Sequence, residues 1–456
     1  MRKGRRVFVV GVVLVCWGLI THGTFAGTGD EPHYQMIARS LAVGGDLDLA
    51  DDYADPKNLV ADGKLVPEAH AILGKDGRLR PVHDIGMPLL FAPYFAVAYR
   101  VADIAARDVP PRWLEKAKLN GSLILRHLLS LAMIAITAWI GLRLASEFEA
   151  MFATTPGVVS GQASGNDSRS LLWAALVVLS PPILSHAFLF FTEIVSAAIA
   201  LWVFVRLRRD RLTSWEAAVA GAATGYLMFV HARNAGLVLG LLALAFVRLR
   251  RRPEPGRLFT WFAGGALLAI GLRTLVTYHF WGTWLTTPHA RVDAAAAGGS
   301  AAIEIVTRLA GWLVDQEHGL LLYAPIYLLL PFGWWALWTR DRRLCTELSL
   351  VVASYVGVMA VPFLNPHGWR GGWSPAARFL VPVMPLLAIV AFAAVARRPR
   401  TPVVIRALVV VQVALNVMLW QHPKLLWNDG KGTSALAAYL DGGSGALSRH
   451  LPSIGR

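Results

Sequence analysis

The chain has 456 residues, 55% of them hydrophobic and 16% charged, with 44 Lys+Arg against 29 Asp+Glu and a formal net charge of +15. Its mean hydropathy of +0.49 excludes an ordinary water-soluble enzyme of this size. In so apolar a chain the basic excess points to membrane topology rather than nucleic acid, because Lys and Arg collect in cytoplasmic loops. Cys16 and Cys345 have no metal-ligand spacing, so neither a disulfide framework nor structural zinc is expected.

Apolar stretches near the length that crosses about 30 Å of hydrocarbon fall at 7–25, 119–145, 171–183, 186–205, 215–231, 234–247, 258–279, 319–338, 347–363, 379–396 and 402–420. They predict an all-α polytopic membrane protein with about 11 transmembrane helices spanning 1–420, followed by a tail, 421–456, too short for a core of its own. The basic clusters Arg2-Lys3, Arg5-Arg6, Arg206 to Arg211, Arg248 to Arg252, Arg340 to Arg343 and Arg397 to Arg400 all fall on one side of this map. That side is expected to be cytoplasmic, with the N-terminus. The loops 26–118, 280–318 and 364–378 and the tail then face outward from a cell (inner) membrane. Loop 146–170 is discordant: the map puts it inside, yet it carries few basic residues. An alternative for the first stretch is a cleavable signal peptide ending at Thr24-Phe25-Ala26.

Directly after the first stretch comes Gly27-Thr28-Gly29-Asp30-Glu31-Pro32-His33-Tyr34. The acidic pair and the proline are helix-start signals. Tyr34, Ile37, Ala38 and Leu41 recur at helical spacing and predict a short amphipathic helix on the outer membrane surface, ended by Gly44-Gly45. Two adjacent carboxylates there suit proton abstraction from a hydroxyl as a sugar is transferred. Helix capping by either is the competing reading. Farther along the loop, Asp46, Asp48, Asp51, Asp52 and Asp55 form an acidic run without the order of a helix-loop-helix calcium site. A solvated loop face is the simpler account and binding of calcium or magnesium the alternative; no metal ligand is assigned, and no cofactor is expected apart from a divalent metal as that alternative.

An Asp-Glu pair ending the first span, at the start of a juxtamembrane helix in a long outer loop, resembles the GT-C superfamily of membrane glycosyltransferases. Within it the chain is similar to polyprenyl-phosphate-sugar-dependent enzymes such as protein O-mannosyltransferases and the lipid A aminoarabinose transferase. The resemblance covers the architecture of most of the chain, but at residue level only a few short motifs. It implies that Asp30, with Glu31 beside it, is the catalytic carboxylate. The continuation Pro32-His33-Tyr34 departs from both named groups, so neither sugar nor acceptor carries over.

Other outer segments supply candidate partners. Arg80-Pro81-Val82-His83-Asp84 leads into an apolar run, 89–102, expected to be a second interfacial or re-entrant helix, with Arg80 and His83 facing a lipid phosphate. The stretch Asn365 to Arg378 combines glycines, tryptophans and guanidinium groups, which suit backbone approach, sugar stacking and bidentate phosphate binding. Its Trp369-Arg370-Gly371-Gly372-Trp373 with the following Arg378 also looks like a feature of some bacterial membrane glycosyltransferases. Arg378, assisted by Arg370 or His367, is the expected phosphate ligand; anchoring of the loop to lipid headgroups is the competing reading. His33, Tyr34, Trp369, Trp373 and Glu193 are candidate substrate contacts.

Arg126, Glu193 and Arg273 lie inside apolar stretches, where an ionisable group needs a partner or water. Each falls 6–8 residues from the expected outer end of its helix, roughly 9–12 Å deep. A shared polar cavity or a structural Arg–Glu pair would explain this, and His231-Ala232-Arg233-Asn234 could line the same opening. Asp315 and Glu317, at a helix start, fit either acceptor orientation or capping.

The expected function is an inverting glycosyltransferase that moves a sugar from a polyprenyl-phosphate donor to a glycan, lipid or protein hydroxyl, in cell-envelope assembly. No nucleotide-binding glycine loop is evident, which fits a lipid donor. The alternatives are a multi-span transporter or lipid flippase, and a noncatalytic protein of the same fold.

Overall fold

A computed structural model describes residues 2–22, 29–54, 70–108, 121–153, 163–284, 301–362, 369–371, 374–396, 402–428 and 430–454. Helix α1 (Arg2–His22) is followed by α2 (Glu31–Arg39), which runs into a π turn (Ser40–Gly44) and a short α3 (Ala50–Ala54). A hairpin of β1 (Ala71–Leu73) and β2 (Leu79–Pro81) follows, antiparallel with Ala71 opposite Pro81. Next come α4 (Gly86–Asp108), α5 (Gly121–Ala153), α6 (Ala163–Val178), α7 (Ile183–His186), α8 (Thr192–Arg208), α9 (Ser214–Val230), α10 (Ala235–Leu249) and α11 (Pro255–Trp281). The remainder is α12 (Ala301–Val314), α13 (Leu320–Tyr323), α14 (Leu330–Arg340), α15 (Arg342–Ala360), β3 (Ser374–Pro375), a 3-10 helix (Arg378–Val383), α16 (Met384–Ala393), α17 (Val403–Gln421), β4 (Trp427–Asn428), α18 (Ala435–Leu440) and α19 (Ala446–His450).

The described residues form an all-α membrane-type bundle with two minimal hairpin pairings. Six of their helical segments are long and apolar enough to cross a membrane: Lys3–Thr21, Leu125–Phe152, Ala232–Leu249, Pro255–Trp281, Arg342–Ala360 and Val403–Gln421. The expected count of about 11 spans is therefore not met. Proline accounts for much of the difference, because it removes a backbone donor and clashes with the preceding turn. Helix α6 ends just ahead of Pro181-Pro182, and beyond the end of α7 at His186 the 186–205 stretch is helical again only from Thr192. Pro325 begins a 3-10 turn (Pro325–Leu329) that divides 319–338, and Pro382 lies in the 3-10 helix that opens 379–396. Helices α8 and α9 have 17 residues each, just short of a full crossing. The run 89–102 is longer than expected, as part of the 23-residue α4 with Pro93 inside it.

Small residues set the closest helix contacts. A Cβ on Gly221 or Gly225 of α9 would overlap the backbone of Phe262 or Ala266 on α11, and one on Gly265 would overlap Ala218. Likewise Gly236 and Gly240 let α10 lie against Val351 and Tyr355 of α15. Such small-xxx-small faces replace the hydrophobic drive that is absent between helices in lipid. Gly86 meets the Phe229 backbone, and the Tyr226 hydroxyl donates to the Gly86 carbonyl at 2.7 Å. The start of α4 is thereby fixed to the end of α9.

Among the described residues, the basic clusters around Arg5, Arg208, Arg248 and Arg343 gather at one end of the bundle, while Arg397 to Arg400 lie outside the described residues. Arg5 pairs with Glu149 at 2.9 Å, Arg208 with Glu147 at 3.1 Å, and Arg248 and Arg343 with the buried Glu347 at 2.5 and 3.3 Å. In the described part of 146–170, Glu147 and Glu149 of α5 are the carboxylates that meet Arg208 and Arg5. Glu193, at the other end of α8, lies 15 residues from Arg208, about 22 Å along the axis. The 421–456 stretch is not a loose tail where it is described. Its β4 pairs with β3, the Asn428 amide donates to the Glu317 carbonyl, and Ile454 receives an N–H from Arg370 at 2.7 Å.

Candidate functional site

At the end opposite the basic clusters, Asp30 precedes α2 in the capping position, but its side chain makes no capping hydrogen bond. It turns to Arg378, which lies 348 residues later and donates from Nη2 to Asp30 Oδ2 at 2.8 Å. The same guanidinium donates from Nε to Glu193 Oε1 at 2.6 Å and lies over the Phe191 ring at 4.5 Å. Ala377, immediately before it, is held at φ +53° and donates its N–H to the His318 carbonyl at 2.9 Å. That left-handed conformation costs a non-glycine residue about 1–2 kcal/mol, so the turn that aims Arg378 is set by its surroundings. Arg233 stands 3.7 Å from Glu193, with its guanidinium over Phe379. Two carboxylates and two guanidinium groups thus meet with formal charges that cancel.

Burial pushes the Asp30 carboxyl up, but Arg378, His83 and Arg233 outweigh it and hold the group well below the usual carboxylate range. Beside it, burial pushes the Tyr34 phenol up, reinforced by Asp30. Among the described residues the buried Tyr34 hydroxyl has no hydrogen-bond partner, and neither does Arg233 Nη1.

A histidine cluster adjoins the carboxylate. The β1–β2 hairpin closes through Gly74-Lys75-Asp76-Gly77, with Gly77 at φ +76°. Below the paired strands, the Val82 N–H reaches the His70 carbonyl at 3.1 Å. His70 and His83 therefore emerge side by side, with Nδ1 of one 2.9 Å from Nε2 of the other. His33 stacks on His70 at 3.7 Å between ring centroids, and its Nδ1 is 2.7 Å from the Tyr53 hydroxyl, which accepts the His70 N–H at 3.1 Å. Burial, then His70, lowers the His33 imidazole to about 3, so its ring is neutral at physiological pH. A small apolar cluster of Ile37, Leu49, Ala71, Ile85, Phe229 and Phe280 seats this excursion on the bundle.

The expected site residues separate into those this pocket gathers and those it does not. Asp30, Arg378, Glu193, Tyr34, His33 and His83 come together, and Arg233 joins them. Glu31 is buried and accepts the Phe190 N–H at 2.8 Å, tying α2 to the turn before α8. Arg80 pairs with Asp76 of its own hairpin and lies over Phe280 at 4.7 Å. Arg370 holds the C-terminal segment. Trp369 is a packing wedge: its ring fills the space a Cβ on Gly311 would need, and its carbonyl accepts the Trp312 indole N–H at 3.1 Å. His367, Trp373 and Asp55 lie outside the described residues.

Glu193 sits in the first turn of α8, not several residues inside a helix, because the chain is non-helical just before Thr192. Its partners are Arg378 and Arg233, whereas Arg273 pairs with Asp84 at 3.2 Å. Asp84 also accepts the Ala232 N–H at 2.7 Å, which anchors the segment carrying Arg233. In the acidic run, Asp46 accepts from the Asp48 N–H at 2.9 Å, Asp48 from the Leu79 N–H at 3.1 Å, and Asp52 pairs with Arg39 at 3.1 Å. These groups build the loop. Asp315 caps the turn before α13, accepting the His318 N–H at 2.9 Å. His70 and Asp84 carry no sequence signal of their own; only the hairpin register places His70 beside His83.

No protein-family model, curated protein or solved structure matches the chain.

Proposed function

We propose that the chain is an inverting glycosyltransferase of the GT-C type, which transfers a sugar from a polyprenyl phosphate to an acceptor hydroxyl at the extracytoplasmic membrane surface. The observation that carries this reading is the contact between Asp30 and Arg378, a proton acceptor and an anion-binding group held 2.8 Å apart beside Glu193 and Arg233. In the reaction the acceptor hydroxyl gives its proton to the Asp30 carboxylate while its oxygen attacks the anomeric carbon. The bond from that carbon to the phosphate oxygen breaks, and the electron pair leaves with the phosphate.

Charge developing on the phosphate calls on Arg378 and Arg233, and the Tyr34 hydroxyl and Arg233 Nη1 have hydrogen bonds to offer. Because Arg378 is shared between two carboxylates, an arriving phosphate competes for it and releases Asp30 toward the acceptor. An apolar groove of about 880 Å³, bounded by Val15, Leu176, Leu184, Val413 and Trp420 among others, suits a polyprenyl chain. A transporter would place its acidic residues near the midplane; these lie at helix starts at one end.

The test is transfer of radiolabelled sugar from a polyprenyl phosphate to endogenous membrane acceptors by the wild-type chain and by Asp30→Asn. Transfer by the wild type and its loss in the variant are expected. Equal transfer by both removes Asp30 from the mechanism, and no transfer from a panel of lipid-linked sugars sinks the transferase reading.

A further inference from the structure

We propose that Asp30, His70 and His83 form a binding site for a divalent transition metal of the zinc class. Their ligating atoms, one from each side chain, all lie within 4.8 Å of one another. Two histidines and one carboxylate are a set such ions favour, and three protein ligands leave a fourth tetrahedral position for an oxygen from water or substrate. Facing ring nitrogens 2.9 Å apart need either a proton or a cation between them. At Zn–N bonds of about 2.0–2.1 Å a tetrahedral ion holds two nitrogens about 3.3 Å apart. A spread of a few tenths of an ångström admits it.

Asp30 engages Arg378 through Oδ2, which leaves Oδ1 for an ion. The surrounding contacts are those of a metal site's outer shell. His33 stacks on the His70 ring, and Tyr53 bridges His33 to the His70 backbone, fixing the direction of the ligand. A second observation points into the same space. The Tyr34 ring lies 4.9 Å from that of His83, and its wholly buried hydroxyl has no partner among the described residues. An oxygen in the open metal position would give it one. An ion here also turns a pocket of cancelling charges into one that attracts an anion, whatever reaction follows.

The test uses the untagged full chain in detergent, stripped with a chelator and titrated with cobalt(II). Saturable binding with the visible absorption of a tetrahedral site is expected. The loss of a ligand in His70→Ala or His83→Gln should weaken it about 100-fold or more, and removing the outer-shell hydroxyl in Tyr53→Phe about 10-fold. His422→Ala, a histidine paired with Tyr439 elsewhere, should bind as the wild type does. Thermal unfolding of the metal-free variants checks that they fold, and X-ray absorption of zinc-loaded wild type needs no variant at all. Absence of saturable binding, binding unchanged in both histidine variants, or a zinc shell without imidazole overturns the proposal. Cobalt binding without sugar transfer would sink the transferase and leave this site standing; sugar transfer by a chain that takes up no metal would do the reverse.

Discussion

Replacing Arg378 with methionine keeps the bulk of the side chain and removes the charge that holds two carboxylates together. Arg378 lies 2.6 Å from Glu193, whose side chain is 2% exposed, and 2.8 Å from Asp30, whose side chain is 24% exposed. Removing one member of a buried pair costs about 3–5 kcal/mol, chiefly because the other charge is left without compensation. Arg233 still faces Glu193 at 3.7 Å, and Asp30 can turn toward water, so the low end applies, about 3 kcal/mol. Glu193→Gln in the same chain removes the stranded charge. The double variant should therefore be more stable than the sum of the single losses predicts, with a coupling of about 1–3 kcal/mol. Unfolding in mixed detergent micelles, followed by circular dichroism for the wild type, both single variants and the double, measures that coupling. Sugar transfer should stay abolished in the double variant although its stability recovers. Additive losses, within about 0.5 kcal/mol, would show that the two groups do not interact and would refute the ion-pair reasoning.

Glu31 and Trp369 give sharper separations between structural and chemical roles. Glu31→Gln keeps an oxygen to accept the Phe190 N–H, so it should cost under about 1 kcal/mol, whereas Glu31→Ala leaves that buried donor unpaired and should cost about 1–3 kcal/mol. Transfer should persist in Glu31→Gln; its loss in a stable protein would give Glu31 a part in the chemistry. Trp369→Ala should cost about 3–5 kcal/mol, because the ring fills the contact against Gly311 and α12. Unchanged stability together with a raised KM for the acceptor would mean that the indole serves as a sugar platform.

Several features of the site are legible in residue types alone. Asp30 and Arg378 stand out as charged groups at the ends of apolar stretches and Glu193 as one inside a stretch, where hydrocarbon makes an unpartnered charge costly. Spacing does not reveal that Arg378 closes on Asp30 across 348 residues. His70 and His83 are separated by 13 positions, unlike a short metal motif, and become neighbours only through the hairpin register. The prolines that divide 319–338 and 379–396 are visible in the sequence, but a hydropathy window averages over them and reports one apolar stretch.

The sequence by itself determines the solvent: mean hydropathy and apolar runs are local sums, and no tertiary contact is needed to compute them. It also carries the prolines that interrupt apolar stretches, but not which glycines admit a neighbouring helix: Gly221, Gly225 and Gly236 do, whereas Gly264 and Gly271 meet nothing within 4 Å. Only the tertiary structure decided the partners. It gave Arg378 and Arg233 to Glu193, Arg273 to Asp84, and the Phe190 N–H to Glu31. The physical reason is that an ion pair depends on distance through space, and a charge between packed helices is satisfied by whichever group the fold brings within reach, however far away along the chain.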